Sequence, residues 1–193
     1  MAIVYLSLGS NLGDRAANLR TATERLASVG VKDGVKRGQT AFFGNLPLLD
    51  IERSGLRKRC PSPFSLKVLR ASRIYETAPR DLEDQPWFLN QVLECETEVT
   101  PARLLESLLE IEGTMGRVRT IPKAARTIDI DILFYGDLIV RQPDLEIPHP
   151  RMGERRFVLG PLAELAPELR HPVTGRTVDA MLGAVLDQSV SVY

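Results

Sequence analysis

Residues 127–135 read TIDIDILFY and run into Gly136. The strict alternation at the start of this stretch is the two-residue period of a β-strand. It sends Ile128, Ile130 and Ile132 to one face and Asp129 and Asp131 to the other. One face of the strand therefore enters a core and the other bears charge. Upstream, residues 116–126 (GRVRTIPKAAR) are basic and irregular, and the segment before them has the marks of a helix. Thr100 supplies a capping hydroxyl and Pro101 suits the first turn. Leu104, Leu105, Leu108, Leu109 and Ile111 then form an apolar stripe that runs to about Met115.

Farther upstream, Trp87 to Val99 (WFLNQVLECETEV) and about Val68 to Thr77 (VLRASRIYET) have strand composition, separated by the loop APRDLEDQP. The chain opens with AIVYLSL (Ala2–Leu8), a run that suits a central strand covered on both faces. Asp14 can cap a helix from Arg15 to about Ala27, with Ala16, Leu19, Ala22 and Leu26 at helical spacing. The order is β-α-β-β-α-β, which predicts an α+β, ferredoxin-like sandwich: an antiparallel sheet with two helices packed on it. A short strand pair (Leu138–Val140, Leu145–Ile147) and one or two helices make a C-terminal extension. The whole chain, 1–193, reads as a single domain. Residues 31–70 interrupt it, too long a stretch for an ordinary connection, and are expected to be a poorly ordered insertion.

The 193 residues carry 25 Lys plus Arg against 25 Asp plus Glu, a formal charge of zero that argues against a nucleic-acid partner held by a basic surface. That zero is an average. Residues 31–73 hold ten basic and three acidic side chains, so the rest of the chain is net acidic by seven. Cys60 and Cys95 have neither metal-ligand spacing nor the pattern of a disulfide framework, which suits a reducing compartment. No targeting or membrane-spanning pattern is present, and a soluble, cytoplasmic protein with no membrane partner is expected.

Asp129 and Asp131 project from one strand face with origins roughly 6.5 to 7 Å apart. Two carboxylates so placed repel each other unless a cation lies between them, and a hard divalent ion such as Mg²⁺ meets that need. A solvated sheet face alternates in the same way, so the pair alone leaves both readings open. Arg117, Arg119, Lys123 and Arg126 lie three to twelve positions upstream of it without balancing acids. Cations beside metal-binding carboxylates make chemical sense where a polyphosphate fills the gap. There is no Walker A or G-x-G-x-x-G pattern, so a P-loop or Rossmann site is not supported. In the run IPHPR (Ile147–Arg151), proline after both Ile147 and His149 fixes the chain path and holds the imidazole rigidly. Arg155, Arg156 and Phe157 follow, offering phosphate contacts and an aromatic surface.

Seven motifs in order resemble the 6-hydroxymethyl-7,8-dihydropterin pyrophosphokinases of folate biosynthesis. They are GSNLGD (9–14), YETAP (75–79), DQPWFLN (84–90), IE with GRVR (111–112, 116–119), RTIDIDIL (126–133), PHPRM (148–152) and ERRFVLGPL (154–162). The resemblance implies a ferredoxin-like fold and transfer of the β,γ-pyrophosphoryl group of ATP to the pterin's hydroxymethyl oxygen, with release of AMP. It implies two Mg²⁺ ions at Asp129 and Asp131, and ATP contacts from Glu112, Arg117, Arg119, Arg126, Ile132, His149 and Arg155. For the pterin it implies a pocket of Gly9, Thr77, Phe88, Asn90 and Phe157, in which a flat heteroaromatic ring stacks on aromatic side chains and an amide reads its edge. The implied partners are these two small molecules. Two departures stand out: Lys123-Ala124-Ala125-Arg126 replaces the family's Trp-Gly-Pro-Arg, and Arg80-Asp81-Leu82 follows Pro79 where glycine is common. With the 31–70 insertion, they motivate a competing reading, a relic that binds pterin or nucleotide without turnover.

Overall fold

A computed structural model describes residues 1–28, 66–79, 85–117 and 125–193. Strand β1 (Ala2–Ser10) leads to helix α1 (Arg15–Ser28), where the Asp14 carboxylate accepts the Ala17 N–H at 2.9 Å, the cap expected from the sequence. Strands β2 (Leu66–Ala71), β3 (Tyr75–Thr77) and β4 (Phe88–Thr97) follow, then helix α2 (Pro101–Thr114), whose first turn the Thr100 hydroxyl caps by accepting from the Arg103 N–H. Next come β5 (Asp129–Tyr135), the hairpin β6 (Val140–Gln142) and β7 (Leu145–Ile147), helices α3 (Arg156–Leu165) and α4 (Val178–Leu182), and β8 (Val190–Val192).

The main sheet runs β5-β1-β4-β3-β8, with β2 also paired to β4, and every pairing is antiparallel. This is the expected ferredoxin-like order. Val4, Leu6 and Leu8 of β1 and Ile130 and Ile132 of β5 meet Leu19, Leu26, Leu104 and Leu108 of the two helices in one core. The opposite face carries a second core. Tyr5, Val92, Leu133 and Phe134 pack there under Val158, Leu159 and Leu162 of α3 and Val178 and Met181 of α4. The helices of the extension thus cover the second sheet face and leave one end of it open.

Three details differ from the sequence expectation. The expected strand Val68–Thr77 is two strands, because Ser72 places its hydroxyl in the ladder: Ser72 Oγ accepts the Val92 N–H at 3.0 Å, and one extra residue enters between β2 and β3. Residues 66–70 belong to this sheet, Leu66 being buried opposite Thr97, so they are not part of the insertion. The remaining span proposed for it lies outside the described residues. Strand β8 was not expected; it forms an edge against β3. Among the described residues no helix is long and apolar enough to cross a membrane.

Candidate active site

Strand register builds the open end of the sheet. Asp129 of β5, Gly9 of β1, Asn90 of β4 and Tyr75 of β3 stand side by side in one cross-strand row. Asp131, Ser7 and Val92 form the next row. Directly opposed residues share a face, so the two aspartates and Asn90 look into the same space, and Gly9 leaves the floor between them open. A Cβ at Gly9 would stand 3.5 Å from Asn90 Oδ1. The resulting cavity of about 250 Å³ is lined by Ser7, Gly9, Thr77, Phe88, Asn90, Arg117, Arg126, Asp129, Asp131, His149, Arg155 and Phe157, with Arg151, Gln85 and the Ala78–Pro79 turn at its margins.

Asp129 is the centre of a charged cluster. It accepts from Arg126 three residues upstream, and Arg117 lies 2.6 Å from its other oxygen. Arg117 also pairs with Glu112, which is 2% exposed. Glu112 Oε1 accepts the Ile130 N–H at 2.7 Å, so one carboxylate from α2 holds the backbone between the two aspartates. Burial raises the Glu112 pKa, while that N–H and Arg117 pull it down. Asp131 lies deep in the cleft with 41% of its side chain open to the cavity. Burial and the neighbouring charge of Asp129 push its pKa up to about 7.

His149 extends the site past the sheet edge. Its backbone N–H donates to the Leu133 carbonyl of β5 at 3.0 Å, and its Nδ1 accepts the Arg151 N–H at 3.2 Å. The imidazole hydrogen is thereby assigned to Nε2, which lies 4.0 Å from Asp131 Oδ2. Burial, with Arg155 and Arg151 nearby, lowers the His149 pKa to about 4, so the ring is a neutral donor. At the other end, Asn90 Nδ2 donates to the Thr77 hydroxyl at 2.9 Å, which leaves the amide oxygen facing the Gly9 floor. Phe88, directly opposite Thr77, and Phe157 also line the cavity, and the Arg155 guanidinium sits 5.6 Å from the Phe157 ring centre.

The structure thus brings together Asp129, Asp131, Arg117, Arg126, His149, Arg155, Gly9, Thr77, Phe88, Asn90 and Phe157. Glu112 stands behind the wall rather than in it. The Ile132 side chain does not line the cavity: the strand period turns it into the core under α1 and α2. Arg119 lies outside the described residues. Trp87 is half exposed; its carbonyl accepts from Arg15 at 2.7 Å, and it takes no part in the cavity lining. Sequence reasoning missed Asn11, which is 1% exposed. Its Oδ1 accepts the Arg126 N–H at 2.7 Å and its Nδ2 donates to Gln85 Oε1 at 3.1 Å, so one amide ties together the loops bearing both residues. A polar side chain directly after a buried strand was the available signal.

As a metal site, the cleft offers hard oxygen donors from two carboxylates on one face. Among the described residues no group of three or more His, Cys, Asp or Glu side chains could hold an ion. Two carboxylate donors are compatible with a hard cation such as Mg²⁺ only where its remaining oxygens come from a bound ligand and water.

A ferredoxin-like sandwich here opens at one end into a single cleft that combines paired carboxylates and arginines with aromatic and amide side chains. Residues 54–167 match the profile of the 7,8-dihydro-6-hydroxymethylpterin-pyrophosphokinase family. The chain is 38% identical to the 2-amino-4-hydroxy-6-hydroxymethyldihydropteridine pyrophosphokinase of Methylorubrum extorquens, over 98% of this chain and 96% of that one. It belongs to this family. It is also 36% identical to the folic acid synthesis protein fol1 of Pneumocystis carinii over 97% of this chain but 20% of that protein. The chain spans about a fifth of the length of such curated relatives. Among solved structures, wild-type HPPK-DHPS of Plasmodium falciparum with pteroate superposes over 96% of this chain and 42% of that one, with a TM-score of 0.63 at 17% identity, a likeness of fold.

Proposed function

We propose that the chain transfers the β,γ-pyrophosphoryl group of ATP to the hydroxymethyl oxygen of 6-hydroxymethyl-7,8-dihydropterin, giving AMP and the pterin pyrophosphate for folate biosynthesis. The observation that carries this reading is the cross-strand row. It puts Asp129 and Asn90 on either side of Gly9 in one cavity, which supports a polyanion bound beside the aspartate and a flat ring beside the amide.

In the reaction the hydroxymethyl oxygen forms a bond to the β-phosphorus. The bond from that phosphorus to the α,β-bridging oxygen breaks, AMP leaves with the electron pair, and the hydroxyl proton passes to solvent. Phe88 and Phe157 stack the ring, and Asn90, held by Thr77, reads its amide-like edge. Asp129 and Asp131 would hold two Mg²⁺ ions, which when bound neutralise phosphate charge and align an in-line displacement. Arg126, Arg117 and Arg155 bind phosphate oxygens, and Arg119 is assigned with them from its motif. The His149 Nε2–H donates to the leaving phosphate as charge builds on it. Asp131 orients the acceptor hydroxyl.

The purified chain, given magnesium, ATP and the hydroxymethyl pterin, is expected to release AMP only when all three are present. A folded chain that binds both substrates and forms no AMP would refute the reading in favour of a binding-only relic.

A further inference from the structure

Arg151 lines the same cavity as Asp131 and His149, and nothing above gives its side chain a task. Its backbone is firmly held. The Arg151 N–H donates to His149 Nδ1, the His149 N–H donates to the Leu133 carbonyl, and the Met152 N–H closes the turn onto the His149 carbonyl at 3.1 Å. Met152 itself is 1% exposed within the second core. The guanidinium thus starts from a fixed point just past the β5 edge, on the side of the cleft away from Thr77 and Asn90.

The two described cleft arginines that precede β5 are already engaged: Arg117 and Arg126 both lie against Asp129. The Arg151 guanidinium has no hydrogen bond or ion pair among the described residues. A guanidinium offers five N–H donors and accepts nothing, so an unengaged one at a cavity wall suits an oxyanion rather than a neutral ring. The charge balance agrees. The described lining sets four arginines (Arg117, Arg126, Arg151, Arg155) against two aspartates, so positive charge is left over for an anionic ligand.

We propose that Arg151 is a nucleotide-binding residue of this chain, gripping an oxygen of the phosphate chain from the turn that carries His149. The inference rests on the pyrophosphokinase reading of the cleft. The competing assignment, a solvated surface arginine, predicts no ligand dependence.

The test is calorimetric titration of wild type, Arg151→Ala and Arg151→Lys with a non-hydrolysable ATP analogue plus magnesium at low and high salt, and separately with the pterin. Arg151→Ala is expected to weaken the analogue by about tenfold at low salt and by less at high salt, where charge pairing is screened. Arg151→Lys should recover part of the loss, since it restores the charge but not the fork. Pterin affinity should stay within about twofold, because the ring end is built from other strands. Analogue affinity of Arg151→Ala within about threefold of wild type at both salts would overturn the proposal, as would an equal loss for the pterin, which marks general distortion of the cleft. If wild type itself binds no analogue, the cleft reading falls and this proposal falls with it; wild-type binding with an unaffected variant removes the proposal alone.

Discussion

Replacing Glu112 with alanine should be among the most damaging single changes outside the two cores. The side chain is 2% exposed and does two things at once: it pairs with Arg117, and its Oε1 accepts the Ile130 N–H at 2.7 Å. Alanine leaves that N–H without an acceptor, at a cost of about 1–3 kcal/mol. It also strips one partner from a buried ion pair, a change that costs about 3–5 kcal/mol where the remaining charge is fully enclosed. Arg117 keeps its contact with Asp129 and is 15% exposed, so the two terms together should come to about 3 kcal/mol. For a chain of this size that is a fall in Tm of about 6–12 °C. Glu112→Gln retains a carbonyl oxygen for the Ile130 N–H and loses only the charge, so it should cost about half as much. Differential scanning calorimetry of both variants, without ligand, reads the difference. A Tm for Glu112→Ala within about 2 °C of wild type would refute the idea that this carboxylate holds the strand between the aspartates.

Three further outcomes follow from the same geometry. Asp129→Ala and Asp131→Ala should each lower kcat by about a thousandfold or more, with pterin affinity changed by no more than a few fold; substantial turnover by either variant would contradict the metal role. Asn90→Ala should raise the KM for the pterin by about tenfold or more and leave the KM for ATP unchanged, because an unpaired ring edge is penalised only in the acceptor pocket. The two shifted groups give opposite pH slopes. Asp131, with its pKa raised to about 7, contributes stability that is present below the ordinary carboxylate range and lost as pH rises through 7. His149, lowered to about 4, contributes stability that is present above the ordinary imidazole value of 6.5 and lost as pH falls towards 4. Thermal melts of the ligand-free variants between pH 4 and 8 should show His149→Gln losing stability as pH rises and Asp131→Asn losing it as pH falls; slopes of the same sign would contradict both assignments.

Much of this was legible in residue patterns because local physics decides it. The alternation of Thr127–Ile132 assigned the faces of β5 correctly, and Asp14 and Thr100 cap the two helices at the expected places. What was not legible depends on distant partners. The alternation ends where the register shifts opposite Tyr5 and Leu6, and Leu133 and Phe134 both turn into the second core, which exists only because α3 and α4 fold back over the sheet. Ser72 divides a strand because its hydroxyl finds the Val92 N–H twenty positions away. Asn11 gains its importance from two loops, at Gln85 and Arg126, that no local window connects with it. At the site, side chains on strand positions were placed correctly, since register follows from pattern. Ile132, carried over from the family resemblance, has its side chain in the core, as that same pattern requires. Arg151 lies in the PHPRM motif, and only the cavity gives it a neighbourhood.

The central claim is that one cleft passes two phosphoryl units together from nucleotide to pterin. Phosphorus NMR of a complete reaction with magnesium, ATP and the hydroxymethyl pterin tests it most directly. AMP and a pterin carrying a diphosphate should appear in equal amounts as ATP disappears. ADP with a pterin monophosphate, or ATP left intact by a folded chain that binds both substrates, would contradict it.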